Sequence, residues 1–192
     1  MITLPTEAVP GNFVGTLIDA GFTQRAVQSI DYIPRKGSRY RVAFSFRPRT
    51  PDEARVMVSR LIAGKQGGIR VELPLLQDQG SPGSPTIFAI VDQRTVTIHQ
   101  LTPGYVAREG FWLSFVKAGQ HYLHSIAVGG TANISGVLTV QLNELLRDTF
   151  SNGDVVHLAA PQVEGLVSGD EWSWQFDPAR IIDIEFEIEE RK

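Results

Sequence analysis

Four histidines, His99, His121, His124 and His157, are the side chains of this sequence best suited to acid–base or metal chemistry, because cysteine is absent. His121 and His124 stand three apart on a run that reads as a strand, a spacing that turns them to opposite faces and away from a shared metal. Without cysteine the chain has no thiol nucleophile, thiolate zinc site, iron–sulfur ligand or disulfide. No Gly-x-Ser-x-Gly elbow, His-Glu-x-x-His helix or phosphate loop is present. Gly64-Lys65-Gln66-Gly67-Gly68 lacks both the upstream glycine and the Ser/Thr after lysine, and reads as a helix stop. The adjacent carboxylates Asp170-Glu171 and Glu189-Glu190 lie beside turns or the terminus, where they place no acid opposite a base across a cleft. Asn133-Ile134-Ser135 fits a glycosylation sequon, but no secretion signal accompanies it. The expectation is a chain with no catalytic residue, metal or cofactor.

Aromatic residues offer a different chemistry. Trp172 and Trp174 alternate with Ser173 and Gln175, so with Phe176 they share one strand face. Three large rings together form either part of a core or a platform on which a sugar stacks. Phe111, Trp112 and Phe115 make a second patch, suited to a sugar or to a subunit interface, where Trp and Phe are enriched. Trp112, Trp172 and Trp174 are therefore the candidates for an interface or for sugar stacking.

The framework that must position these residues is an ordinary globular chain. Its 192 residues are 42% hydrophobic and 20% charged, with a formal net charge of −3, and a core of this size forms without disulfide or metal. No window approaches the roughly 18 apolar residues of a membrane span, and Met1 to Pro5 lacks a basic segment followed by an apolar one. A soluble, cytosol-made protein is expected. Charge is uneven: Arg25 to Arg70 holds eleven basic side chains against three acidic, whereas Val167 to Lys192 holds eight acids against three bases. The basic residues alternate with apolar ones instead of forming a block. The split therefore reads as two segments pairing in one sheet or between subunits, at roughly 0.2–1 kcal/mol per facing pair, in preference to nucleic-acid binding.

Periodicity supplies the elements. Tyr40, Val42, Phe44 and Phe46 alternate with Arg41, Ser45 and Arg47, and Ile182, Ile184, Phe186 and Ile188 alternate with Asp183, Glu185, Glu187 and Glu189. Ile69 to Leu73 alternates too and is closed by Pro74. Thr50-Pro51-Asp52-Glu53 is a capping box that opens a helix over about 51–63, with Ala54, Met57, Val58, Leu61 and Ile62 as its apolar stripe and Gly64, Gly67 and Gly68 as its stop. Gln77 to Pro85 reads as a linker. Beyond it, runs at 94–101, 111–115, 122–128, 137–142 and 155–160 predict a small all-β unit, with a helical turn at Leu145 to Phe150 and a tight turn at Ser151-Asn152-Gly153-Asp154. The expected domains are a body of residues 1–85 and 165–192 and an inserted β unit of 86–164.

The order of these features resembles the distal tail proteins of long-tailed, non-contractile bacteriophages and phage-like particles. It is carried by Gly21-Phe22, by Arg39 to Pro48 running into a Pro-Asp-Glu-Ala helix, and by Arg70-Val71-Glu72-Leu73-Pro74-Leu75. Downstream it continues through Gly110 to Phe115, Gln120-His121-Tyr122-Leu123, Asn152 to Val156, and Trp172 to Glu189 with Asp177-Pro178-Ala179-Arg180 before the last strand. The resemblance implies a mainly β fold, a tail-tube-like β-sandwich or barrel with one packed helix and an inserted all-β unit. It further implies a hexameric ring in the virion at the distal end of the tail, made in the host cytoplasm. Its partners would be the tail tube protein, the tail hub and tail-tip proteins, and receptor-binding or fibre proteins. DNA would pass transiently through the lumen. An acidic lumen lets DNA slide where clustered Lys/Arg would hold its phosphates, which makes Asp183, Glu185, Glu187 and Glu189 the expected lining; the same face could instead be solvated or paired with Arg41 and Arg47. A tube subunit and a carbohydrate-binding β-sandwich are the other readings.

Overall fold

The computed structural model describes residues 1–4, 10–47, 50–75, 77–169 and 184–191. In chain order the elements begin with β1 (Ile2–Thr3), β2 (Pro10–Ile18), β3 (Phe22–Arg25), β4 (Ile30–Ile33), β5 (Arg39–Phe46), α1 (Pro51–Gly67) and β6 (Ile69–Glu72). Next come β7 (Gly83–Ile90), β8 (Thr95–Leu101), β9 (Val106–Ala107), β10 (Trp112–Lys117), β11 (Gln120–Val128) and β12 (Gly130–Thr131). The last are β13 (Leu138–Leu142), β14 (Val156–His157), β15 (Gln162–Val167) and β16 (Ile184–Glu190). The protein is mainly β, with one helix among the described residues. It divides into a first unit of Met1–Leu17, Tyr40–Pro74 and Val163–Arg191, and a second of Ile18–Arg39 and Leu75–Gln162. The second unit thus takes in residues 18–39 as well as the segment expected as an insertion.

In the first unit six strands lie in the order β1-β6-β15-β16-β5-β2. The strict alternation of β5 buries Tyr40, Val42, Phe44 and Phe46 and leaves Arg41, Ala43 and Ser45 on the other face. β16 pairs with β5 so that Phe186 lies opposite Phe44 and Ile188 opposite Val42. The Phe186 ring stacks on those of Phe44 and Phe46 at 5.5 and 5.4 Å. α1 starts as its capping box demands: the Thr50 hydroxyl accepts from the Glu53 amide at 3.2 Å, with Pro51 in the first turn. Ala54, Met57, Val58 and Leu61 are buried, while Ile62, expected in the same stripe, is exposed. Gly64 does not stop the helix. It is the buried contact of the last turns, where a Cβ would come within 3.0 Å of Ile69 and 3.5 Å of Val167, and the cap falls four residues later at Gly68, with φ of 86°.

In the second unit β14-β10-β11-β13-β8-β7 form an antiparallel sheet. The sheet curls until its two ends meet: Thr86 of β7 bridges Val155, and the Ile87 amide donates to Asp154 at 2.8 Å. Curling of this kind protects the strand edges. Leu113, Phe115, Tyr122, Ile126, Val96, Ile98, Val140 and Leu142 point inward and are all but fully buried. Three expectations are corrected here. Phe115 is core, so the proposed aromatic surface patch loses its largest buried member. Leu145 to Phe150 has no helical turn, because Asp148 is drawn to Lys117 and Tyr122 and the backbone follows it in an irregular path. The linker-like Gly/Ser/Pro run is ordered into the fold. The side chain of Gln79 is clasped between Trp112 and Leu158, donating to both carbonyls and accepting from the Trp112 amide at 2.7 Å, and Gly83-Ser84-Pro85 opens β7.

Candidate functional site

β3 and β4 form a two-stranded hairpin, Phe22 opposite Ile33 and Arg25 opposite Ile30, and all eight strand residues are exposed. Cross-strand partners share a face, so Phe22 and Ile33 occupy one side and Ile30 and Tyr32 the other. Ile30 is 69% exposed and Val27, at the Ala26–Ser29 turn, is fully so. The hairpin is nonetheless held at its base. One oxygen of Asp19 accepts from the Gly21 amide at 2.9 Å, the Tyr32 hydroxyl at 2.8 Å and the Ser38 hydroxyl at 3.0 Å, and Ser38 accepts from the Ala20 amide at 3.1 Å. These donors, the Gly21 amide first, hold the Asp19 carboxyl below the usual carboxylate range, and the same hydrogen bond raises the Tyr32 hydroxyl. Tyr32 lies across Gly21: a Cβ there would sit 2.2 Å from the phenolic oxygen, so a larger residue would turn the ring away from Asp19. The Arg35 guanidinium caps the Phe22 ring at 5.4 Å. The hairpin is thus tied at its base while all eight of its strand residues stay exposed.

The second feature is the outer face of the first unit's sheet. Glu185, Glu187 and Glu189 lie on one face of β16, opposite Ser45, Ala43 and Arg41. Arg41 donates to Glu189 at 2.8 Å and lies 3.4 Å from Glu187, which also accepts from Ser168 at 2.6 Å. The hydrogen bond to Glu189 leads in raising the Arg41 guanidinium still further above neutrality. Arg70 likewise donates twice to one oxygen of Glu164, at 2.8 and 2.7 Å, and Glu164 is only 4% exposed. Arg41 of the basic segment therefore meets Glu187 and Glu189 of the acidic one across β5 and β16. Glu185 stays exposed at the rim of an open groove of about 450 Å³, lined by Phe13, Val14, Ala43, Ser45, Glu185 and Glu187 among others. Asp183, Trp172 and Trp174 lie outside the described residues. Trp112 opens β10, half-buried, with its backbone held by Gln79.

The histidines separate as their spacing requires. His121 faces out of the curled sheet, its ring stacked on that of His157 at 5.1 Å and Nδ1 3.4 Å from the Ser114 hydroxyl. His124 points inward, wholly buried against Phe115, with Nδ1 3.4 Å from a carboxylate oxygen of Glu144. Glu144 is itself occupied by the Ser125 hydroxyl at 2.9 Å. Burial first, and the nearby Arg147 second, push His124 well below the ordinary histidine range. Among the described residues no three metal-binding groups converge, and no helix is long and apolar enough to cross a membrane. The sequence matches no family model and no curated protein. What sequence reasoning missed is the hairpin. Its signal was Asp19-Ala20-Gly21 before a β-rich run, with Gln28-Ser29 as the turn, but apolar residues on both faces erase the alternation that marks a half-buried strand.

Proposed function

We propose that this protein is a structural assembly component, a ring-forming adaptor at the distal end of a phage-type tail. It joins the tube to the tail-tip hub and receptor-binding apparatus and is not an enzyme. The observation that carries the reading is the β3–β4 hairpin. An isolated two-stranded hairpin is marginal in water, and one with Phe22, Ile30, Tyr32 and Ile33 exposed on its two faces gains its stability by lying against another chain. In the first unit the edge strand β2 also exposes Val14 and Leu17, and an edge strand is open to pairing with another chain. The order of motifs from Gly21-Phe22 to the final acidic strand supports the same assignment. Among the described residues of that face Glu187 and Glu189 are paired with Arg41, and Glu185 is exposed, a carboxylate available for a contact with another chain. Negative-stain electron microscopy with a solution mass on the same purified sample tests the proposal. Closed six-fold rings with an open centre are expected; a strictly monomeric sample that retains glycans in a binding screen would replace the adaptor with a carbohydrate-binding module.

A further inference from the structure

An assembly built from identical chains needs two surfaces that fit each other, and the molecule carries two of opposite character. One is the free end of the hairpin, where Arg25 and Ile30 are cross-strand partners on one face and Val27 projects from the turn. The other is the groove lined by residues of β2, β5 and β16, apolar Val14 and Ala43 and acidic Glu185 and Glu187 among them. With Arg41 already engaged by Glu187 and Glu189, the rim keeps Glu185 for a cation from outside. We propose that the hairpin end of one copy seats in this groove of a second copy, with Val27 and Ile30 against its apolar lining and Arg25 against Glu185. Three observations converge on this occupant. The charges are complementary, since residues 22–39 carry Arg25, Arg35, Lys36 and Arg39 against Asp31 alone and the groove carries carboxylates. The groove volume of about 450 Å³ is in the range of clefts that enclose a compact apolar group, roughly 300–1,000 Å³. Val27 and Ile30 are the most exposed apolar side chains of the hairpin, and Asp19 ties its base through Tyr32 and Ser38.

A contact between two different surfaces is head-to-tail, so each copy gives a hairpin and receives one, and the series closes into a ring wherever the rotation permits. The inference rests on the self-assembly proposed above and adds the identity of the mating surfaces. Its test is a charge exchange, chosen because both residues are exposed and neither supports the fold. Arg25→Glu and Glu185→Arg are prepared separately and their masses followed by sedimentation against concentration, with circular dichroism to verify folding. Each variant alone should assemble at least tenfold more weakly than the unaltered chain. The two variants mixed one to one should recover assembly, because each then offers the charge the other lacks, and the double variant should recover it as well. An unaltered chain that assembles, with single variants assembling equally well or a mixture that fails to recover, overturns the hairpin-in-groove contact and leaves self-assembly intact. An unaltered chain that stays monomeric at every concentration overturns both.

Discussion

The curled barrel and the β3–β4 hairpin belong to one unit and use the same antiparallel ladder, yet they end in opposite states of burial. In the barrel six strands curve until Thr86 meets Val155, so each strand sends alternate side chains into an enclosed space and Phe115, Ile98 and Leu113 lose all contact with water. In the hairpin two strands enclose nothing, and Phe22, Ile30, Tyr32 and Ile33 remain exposed. The difference teaches that apolar content alone does not make a core. Enough strands to surround a volume do, and a strand pair without them must obtain its burial from a neighbour.

The largest expected effect falls on the enclosed side of that comparison. Phe115→Ala removes a ring packed against Phe150 at 5.2 Å and His124 at 5.5 Å, and should cost about 3–5 kcal/mol of stability in denaturant unfolding. A loss near that of a surface change would mean the barrel core is not closed. The next effect reads the barrel through protons. With His124 held below its ordinary range, the unfolded chain binds the proton first, so stability falls as pH drops below about 6.5, by at most about 1.4 kcal/mol per pH unit. His124→Gln should flatten unfolding free energy between pH 6.5 and 5 whatever it does to the absolute value. Asp148, lowered first by its hydrogen bond from Lys117, and Asp19 act in a separate window, their contributions lost only as pH falls below the ordinary carboxylate range. The smallest effect on stability belongs to the hairpin. Ile30→Ser should change unfolding by no more than about 0.5 kcal/mol while weakening assembly in a sedimentation series. A large loss of stability there would place Ile30 in a core and erase the contrast.

How far the sequence disclosed this follows from the same contrast. Where one face is buried, as in Tyr40 to Phe46 and Ile184 to Ile188, alternation reports the strand and its inward residues directly. The capping box at Thr50 to Glu53 placed the helix start to the residue, since local hydrogen bonding alone decides it. Gly64 misled because a glycine that ends a helix and one that admits a close neighbour look alike in one dimension. Residues 22–33 were passed over because both faces of the hairpin carry exposed apolar side chains and show no alternation. The acidic strand was visible as charge, but its pairing with Arg41, more than a hundred residues away, depends on register. The isolation of His124 beside Glu144 and Arg147 depends on how the segment after β13 folds back.

β16 has a consequence for the order in which the molecule can come into being. It lies between β15 and β5, inside the sheet of the first unit, though it is the last of the described strands in chain order. On a ribosome β5 emerges more than a hundred residues before β16, its partner in the ladder. The second unit's barrel, whose strands are all made by residue 157, can close during that interval. The early strands stay open-edged meanwhile, exposed to chaperones and to neighbouring nascent copies, and a fold with pairings this distant in sequence is expected to mature slowly.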